Sequence, residues 1–486
     1  MKMKLENILQ GISVVNSNWN KENPISKLSF DSRNVDENTL FFAIVGSTTD
    51  GHKYIDDVIK KGCYNIVVQD NREVRGINFI QVKDSAETVA IAAHNFFGKP
   101  SDKLKMVGVT GTNGKTTTTT LLHSLFQSMG YQTGLLSTVV NKIGTEEIPA
   151  THTTPNPIAL AELLAKMVEN GCSHVFMEVS SHAIHQKRTA ALCFDIAVFT
   201  NITHDHLDYH KTFKEYIEVK KTLFDNLSKE SFALTNSDDK NGMVMLQNTK
   251  ASKSTYSLKT PSDYKGKIIE NELTGLILQI NGREVYTQLI GEFNAYNLLA
   301  VYGVTQLLEM DSLEVLTAMS TLKSVDGRFE FFKSASNITC IVDYAHTPDA
   351  LENVLKTISS FRKEGNKVIS LVGCGGDRDK TKRPQMAQIA SRMSNQTILT
   401  SDNPRTEDPN TILEEMEAGI PEENQAKNIT ISDRKEAIKL AISLAQSNDI
   451  LLIAGKGHEK YQDIKGVKHP FDDLAIAKEL FIKMKK

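Results

Sequence analysis

The chain has 486 residues with 40% hydrophobic and 24% charged side chains, 28 Gly and 12 Pro, an ordinary globular composition that excludes a disordered, collagenous or low-complexity chain and gives room for about three domains. Lys and Arg number 56 against 59 Asp and Glu, a formal charge of -3, which excludes the overall basic footprint of a nucleic-acid binder and limits a polyanionic partner to a local patch. No apolar run reaches the roughly 18–20 residues that cross a bilayer, so no membrane insertion is expected.

The N-terminus, Met1-Lys-Met-Lys-Leu-Glu6, has no apolar core and no small-residue cleavage site, so it does not read as a secretory signal. Up to about Pro100 the pattern is a small α/β module. Its pieces are the strands Thr39–Val45 and Asn65–Val68 and a helix Tyr54–Lys61 ended by Gly62. From Leu104 a strand Lys105–Thr110 leads through a Gly-rich loop into a helix that starts near Lys115 and stops at Gly130. Strands at Ser173–Glu178 and Asp195–Thr200 follow, each after a helix-like segment, which is the alternation of a parallel sheet. After about Phe332 the alternation repeats, with strands at Ile338–Val342, Lys367–Val372, Gln396–Thr400 and Ile450–Ala454. Ligands of such a sheet bind beyond the carboxyl ends of its strands, so the loops Asp343–Asp349, Gly373–Asp379, Asp402–Arg405 and Gly455–Glu459 should meet at one edge. The five cysteines, Cys63, Cys172, Cys193, Cys340 and Cys374, are scattered, odd in number and never in a CxxC, and read as core or loop thiols of a reducing compartment.

The sharpest local signal is Gly108-Val-Thr-Gly-Thr-Asn-Gly-Lys-Thr-Thr117 between an apolar strand and a helix. Glycines let backbone N–H groups wrap phosphate oxygens, the helix N-terminus adds its dipole, Lys115 reaches the outer phosphates and the Thr116 hydroxyl suits Mg2+. A strict phosphate-loop motif has Gly where this chain has Val109. Glu178-Val-Ser-Ser-His182 and Asn201–His210 start at the ends of strands in the same block. His204 and His206 fit either a zinc pair or ordinary loop positions, while beside a nucleotide loop Glu178 and His206 are candidates for holding Mg2+, which favours the glutamate's oxygens. Between Thr212 and Asp225 the side chains of Phe213, Tyr216, Ile217, Leu223 and Phe224 share one helical face, with Lys220 in the middle of it. A lysine there is snorkelling, ion-paired, neutral or covalently altered. Arg378 and Arg405 lie in strand-end loops, where two guanidinium forks suit a ligand that carries carboxylates. Surface arginines are common, and spacing alone assigns neither of them.

Taken in order, Phe30-Asp-Ser-Arg33, Gly111–Thr117, Thr153-Thr-Pro155, Glu178–His182, His206–His210, Gly291-Glu-Phe-Asn294, Gly327-Arg-Phe-Glu330, Asp343-Tyr-Ala-His346, Gly376-Asp-Arg-Asp379, Asp402-Asn-Pro-Arg405 and Gly455–Glu459 resemble the Mur ligases along nearly the whole chain. The resemblance implies an α/β protein of three domains: a UDP-binding module over 1–99, a central P-loop ATPase-like parallel sheet over 100–332, and a Rossmann-like, amino-acid-binding domain over 333–486. It implies ATP-dependent amide formation through an acyl phosphate, with UDP-MurNAc-L-Ala-D-Glu and meso-diaminopimelate as substrates, in the bacterial cytoplasm and as a monomer.

Carried over by residue, Phe30, Ser32 and the loop Ser47, Thr48 and Thr49 would touch the UDP end, although Phe30 and that loop depart in residue type from the family. Thr153, Thr154, Ser180, Gln186 and Arg188 would hold the muramoyl dipeptide. Gly111, Thr112, Asn113, Gly114, Lys115, Thr116, Thr117, Asn294, Arg328 and Asp343 would form the ATP site. Thr116, Glu178, His206 and Lys220 would serve Mg2+, Lys220 as a CO2-derived carbamate. Arg378, Asp402, Asn403, Pro404, Arg405, Gly455 and Glu459 would hold the incoming amino acid. Family members with the Asp-Asn-Pro-Arg form add meso-diaminopimelate, whereas lysine-adding members lack the arginine. Folylpolyglutamate synthase shares the phosphate loop and the acyl-phosphate logic. A metal-dependent hydrolase built on His204, His206 and Lys220, and a nucleotide-binding scaffold without activity, are readings from other classes.

Overall fold

The computed structural model describes residues 2–15, 19–46, 49–72, 74–150 and 152–486. Near the N-terminus, Lys27–Ser29, Thr39–Phe42, Asn65–Val68 and Asn78–Gln81 pair side by side, all parallel. Thr39–Phe42, every residue of it buried, stops short of the expected Val45 because Val45 turns off to bridge Asp50. The expected helix at Tyr54 opens as a 3-10 turn, Gly51–Tyr54, and continues as Ile55–Lys60, with Gly62 in the left-handed region at φ 83° just beyond it.

The second sheet is built outward from Lys105–Thr110, which has His174–Glu178 on one side and Ile196–Phe199 on the other, all parallel. Register aligns Glu178 with Val109 and Phe199 with Thr110, so the residues after all three strands emerge at the same level. Thr133–Leu136, Phe232–Asn236, Ser252–Ser257 and the start of Tyr264–Glu272 extend the parallel run, and antiparallel strands at both edges complete eleven. The helix Lys115–Ser128 packs Leu121, Leu122, Leu125 and Phe126 into a core shared with Val107, Val109 and Leu298. The hydrophobic effect fixes this helix against the sheet and thereby fixes the loop that feeds it.

The third sheet orders its strands Glu330–Lys333, Thr339–Asp343, Ile450–Ala454, Val368–Cys374, Gln396–Ser401 and Asn428–Ile431, with only the first antiparallel. The expected domain break at 332 falls inside Glu330–Lys333, whose pairing with Thr339–Asp343 places the change of sheet before Glu330. The inner strands are buried throughout and mostly apolar, as a sheet covered on both faces requires. Below their carboxyl ends runs a fully buried ion pair, Arg434 Nη2 to Asp473 Oδ2 at 2.6 Å, and the same guanidinium donates to Ser401 O and Ala454 O. It ties two strand ends together, and one residue opens each of the helices Arg434–Leu444 and Asp473–Lys483.

Side chains cross between the blocks. Lys187 pairs with Asp84 and Glu87 of the N-terminal module. Asn113 Nδ2 donates to Asp349 Oδ2 at 2.9 Å, and His204 Nε2 lies 3.1 Å from Asp379 Oδ2. These contacts turn the loop edges of the second and third sheets toward each other.

Candidate active site

Between those two edges lies a cavity of about 400 Å³. On its central side the phosphate loop turns on glycines. Gly111 and Gly114 have φ of 152° and 87°, and a Cβ would collide with Thr200 Oγ1 at the first and lie 2.6 Å from Asn297 Oδ1 at the second. Both positions therefore require glycine, for close approach and for backbone conformation. Gly114 caps the helix Lys115–Ser128 without a side-chain acceptor, leaving the first-turn amides and the positive end of the dipole facing the cavity. Lys115 Nζ curls back to Gly111 O and Thr112 O at 3.0 and 2.8 Å, and burial pulls its pKa down. Asn294 is elsewhere: it is buried behind the loop, donating to Ile290 O and accepting from Asn297, whose Oδ1 accepts in turn from Thr118.

Glu178, fully buried at its strand end, accepts from Thr138 N at 2.7 Å and from Thr138 Oγ1 at 3.2 Å. Thr153, Thr154, Ser180 and Arg188 line the cavity beside it, with Arg188 Nη1 on Thr154 O at 2.7 Å. Gln186 braces Arg188 from off the wall, accepting from its Nε at 3.0 Å. Thr212 caps the helix Phe213–Asp225 through Glu215 N, and the helix carries Lys220 inward as its periodicity requires. Lys220 is 1% exposed, donates to Gly111 O at 2.8 Å and lies 4.7 Å from the Tyr216 ring. Burial first and then the neighbouring Lys115 hold its pKa well below the ordinary lysine value, and among the described residues no carboxylate pairs with it. His206, at φ 55°, sits on the wall against His182, and burial drives its pKa down to about 3, so it is neutral at pH 7. His204 is not on the wall, so the two histidines diverge.

The turn that leads into the third sheet supplies Arg328. It stacks 4.4 Å from the Tyr344 ring and reaches Thr116 Oγ1 at 3.2 Å, while its Nε is buried without a hydrogen-bond partner. Asp343 stands behind it, accepting from Phe329 N and Ala345 N at 2.6 and 2.7 Å, with its pKa raised by burial against the opposing pull of Arg328. It shapes the turn that presents Arg328 and does not itself line the cavity.

The far side of the cavity holds Asp402, Asn403, Arg405, Gly455, Glu459 and Arg378. Gly455 has φ 115°, and a Cβ there would lie 2.6 Å from Asp402 Oδ2. Asn403 Nδ2 donates to Glu459 Oε2 at 2.7 Å, and Arg405 donates through Nη1 to Gly376 O at 2.7 Å. Arg378 is exposed, donating to Asp377 O. Pro404 is off the wall, its carbonyl accepting from Glu407 N. The site also uses residues to which the sequence assigned no role: His346 and Asp205, inside quoted motifs, and Lys382, outside them, all line the cavity and are mutually within electrostatic reach. Position in strand-end loops was the available signal for His346 and Asp205, whereas Lys382 opens the helix Lys382–Met393 that follows such a loop.

Phe30, Ser32 and Thr49 lie away from this cavity, after adjacent parallel strands of the first sheet. Phe30 is exposed, Ser32 O accepts from Lys61, and Thr49 Oγ1 is 3.4 Å from Tyr54 OH. Ser47 and Thr48 fall outside the described residues.

A phosphate ligand fits the central wall: the glycine cradle, the uncapped helix start and the orphan Arg328 Nε all lack a protein partner that an anion would provide. For Mg2+ the Thr116 hydroxyl and Glu178 carboxylate offer oxygens. Among the described residues no group of three or more His, Cys, Asp or Glu is gathered to hold a metal. Few protein oxygens with the rest from water and phosphate is the usual Mg2+ arrangement, so these residues fit that ion better than a zinc cage.

Three sequence models match the chain: the Mur ligase family catalytic domain over residues 24–97, the Mur ligase middle domain over 109–305 and the Mur ligase glutamate ligase domain over 327–457. The chain is 54% identical over 481 residues to the UDP-N-acetylmuramoyl-L-alanyl-D-glutamate--2,6-diaminopimelate ligase of Cytophaga hutchinsonii, covering 98% of this chain and 99% of that one. A solved structure of an enzyme with that same name is 31% identical and superposes with a TM-score of 0.70 over 100% of both chains. A folylpolyglutamate synthase of Mycobacterium tuberculosis superposes at 0.63 with 18% identity, over 76% of this chain and 92% of that one, which is a likeness of fold alone.

Proposed function

The chain belongs to the Mur ligase family, and from that premise we propose that it couples ATP cleavage to the addition of meso-diaminopimelate to UDP-MurNAc-L-Ala-D-Glu in peptidoglycan precursor synthesis. The observation that carries the reading is that one cavity has a phosphate loop on one wall and two guanidinium groups among carboxylates on the other. The D-glutamyl γ-carboxylate attacks the γ-phosphorus of ATP, ADP leaves, and the acyl phosphate so formed takes the amino group of diaminopimelate at its carbonyl carbon. Phosphate departs with the C–O electron pair and the amine loses a proton. Such chemistry is mainly positioning and charge neutralisation.

The first-turn amides, Lys115 and Arg328 hold the ATP phosphates. Thr153, Thr154, Ser180 and Arg188, braced by Gln186, hold the dipeptide, and Phe30, Ser32 and the loop at 47–49 take the UDP end. Thr116, Glu178 and His206 would hold Mg2+, which when bound neutralises phosphate charge. Lys220 adds CO2 at its neutral amine to give a carbamate and a proton; the depressed pKa and the inward placement support this reading. The resulting anion supports the metal in place of a cation. Asn294 and Asp343 act from behind, on the loop and on Arg328. Arg405 and Arg378 read the distal carboxylate of diaminopimelate, and Asp402 and Glu459 its distal ammonium, with Asn403 orienting Glu459. We place the three domains at 1–99, from 100 to before Glu330, and from there to 486. The nucleotide-linked substrate and ATP assign the enzyme to the cytoplasm.

ADP release in the presence of UDP-MurNAc-L-Ala-D-Glu, with meso-diaminopimelate or L-lysine as the amine, tests the reading. Turnover should depend on all three substrates and favour diaminopimelate. Equal or better kcat/KM with L-lysine would overturn the amine assignment, and ADP release that never depends on an amine would overturn the ligase.

A further inference from the structure

Lys456 has no exposure at all, yet it sits two residues beyond an apolar strand and immediately after Gly455. Its Nζ donates to Asn403 Oδ1 at 3.1 Å and to Glu459 Oε2 at 3.2 Å, over the ring of Tyr461 at 5.6 Å. Asn403 Oδ1 also accepts from Asp463 N at 2.9 Å. With its oxygen taken twice, the Asn403 amide is locked so that Nδ2 faces Glu459 Oε2, where the bond is 2.7 Å. Glu459 Oε2 is thereby occupied by two donors, and the other oxygen of that carboxylate is the one left to meet a ligand.

The strand Tyr461–Ile464 continues the same support. Gln462 Nε2 donates to Asp402 O at 2.7 Å. The Arg405 amide donates to Asp463 O at 3.0 Å and its carbonyl accepts from Lys465 N at 2.7 Å. Arg405 is held by these bonds at φ 51°, a backbone conformation that a non-glycine residue keeps only when its surroundings impose it. Every residue from Asp402 to Arg405 except Pro404 is thus hydrogen-bonded by the segment 456–465.

We propose that Lys456, with Gln462, is a positioning device for the amine end of the cavity: it fixes the Asp402–Arg405 loop and Glu459 in the geometry that recognises the distal amino acid centre, without itself touching substrate. This rests on the amine assignment above. It differs from a general structural role in what it should move. Lys456→Met keeps the volume of the stem and removes both donors to Asn403 and Glu459. The expected result is a KM for diaminopimelate raised about tenfold or more, from the loss of a charge-assisted network, with KM for ATP and for the UDP-dipeptide within about twofold of wild type and the preference for diaminopimelate over L-lysine reduced. Gln462→Ala, a half-buried position that the fold tolerates better, should raise the same KM about threefold and decides the matter should Lys456→Met not accumulate as folded protein. A fall in kcat with all KM values unchanged, or equal losses toward all three substrates, would overturn the proposal. Wild-type enzyme that does not use diaminopimelate would instead overturn the amine assignment on which it rests.

Discussion

Lys220 and Lys456 are both buried beside the cavity, one on its central side and one on its C-terminal side, at 1% and 0% exposure. Lys456 is answered by a carboxylate, Glu459 at 3.2 Å, and by an oriented amide. Lys220 is answered by a backbone carbonyl and an aromatic face, with Lys115 as its stronger charged neighbour and Asp205 opposing it more weakly, without an ion pair. Burial without a paired anion is costly for an ammonium and favours the neutral amine, so the same residue type is made reactive in one place and supportive in the other. Solvent exposure alone does not distinguish them; the partner does.

The largest effects should fall on the central side. Lys115→Ala removes the main cation beside the phosphates from a loop whose shape is set by glycines and neighbouring amides, so ligation should fall by about 1000-fold or more while the thermal midpoint changes little. Near-normal ADP release would break the assignment of that wall to ATP. Lys220→Ala should lose about 100- to 1000-fold. Added bicarbonate should restore nothing, because the variant has no amine to carbamoylate, whereas a short carboxylic acid should restore part of the rate by supplying the missing anion. A crystal structure of active enzyme with an unmodified Lys220 pointing to solvent would end the contrast between the two lysines.

On the C-terminal side a single interaction matters less. Arg405→Ala should cost about 10- to 100-fold in kcat/KM for diaminopimelate, the worth of one charged hydrogen-bonded contact of roughly 1.5–3 kcal/mol. The rate with L-lysine, which has no distal carboxylate, should hardly change. Equal losses with both amines would assign Arg405 to holding its loop, through Gly376 O, rather than to reading the substrate.

The central side was the more legible in sequence because its chemistry is local. Strand, Gly-rich loop and helix follow one another within Lys105–Ser128, and the helical face of Phe213–Asp225 already marked Lys220 as inward. On the C-terminal side the strand alternation predicted that loops from 343 to 459 would meet, and they do. Which side chains face the cavity was another matter. Asp343 ends a strand as the motif expects but spends both oxygens on Phe329 N and Ala345 N, and Lys456, in the middle of a recognised motif, shows its role only when its local contact with Glu459 is joined by one to Asn403, 53 residues away. The Arg434–Asp473 pair, joining residues 39 apart under the sheet, left no local trace at all. Periodicity reports which face is buried; it does not report which polar partner waits there.

A third buried cation gives the mildest test of the principle that the partner decides. Arg383, without exposed side-chain surface, is held by Glu407 at 2.8 Å and Glu415 at 2.6 Å, and Glu407 also accepts from Asp377 N, next to Arg378. The Arg383 hydrogen bond is the main reason that the Glu407 carboxyl is held down at about 2 from an ordinary 4.5. A carboxylate with a depressed folded-state pKa stabilises the fold fully above its unfolded value and loses that contribution as pH falls toward the folded one. Glu407→Gln should therefore lower stability by about 1.5 kcal/mol at neutral pH, the low end for a charged hydrogen bond because Glu415 still pairs with Arg383. The gap between wild type and variant, followed by thermal unfolding, should stay constant down to about pH 4.5 and narrow progressively as the pH falls further toward about 2. A gap that does not change between about pH 6 and pH 3 would show that Glu407 supports Arg383 by shape and not by charge, and would remove this pair from the contrast that separates Lys456 from Lys220.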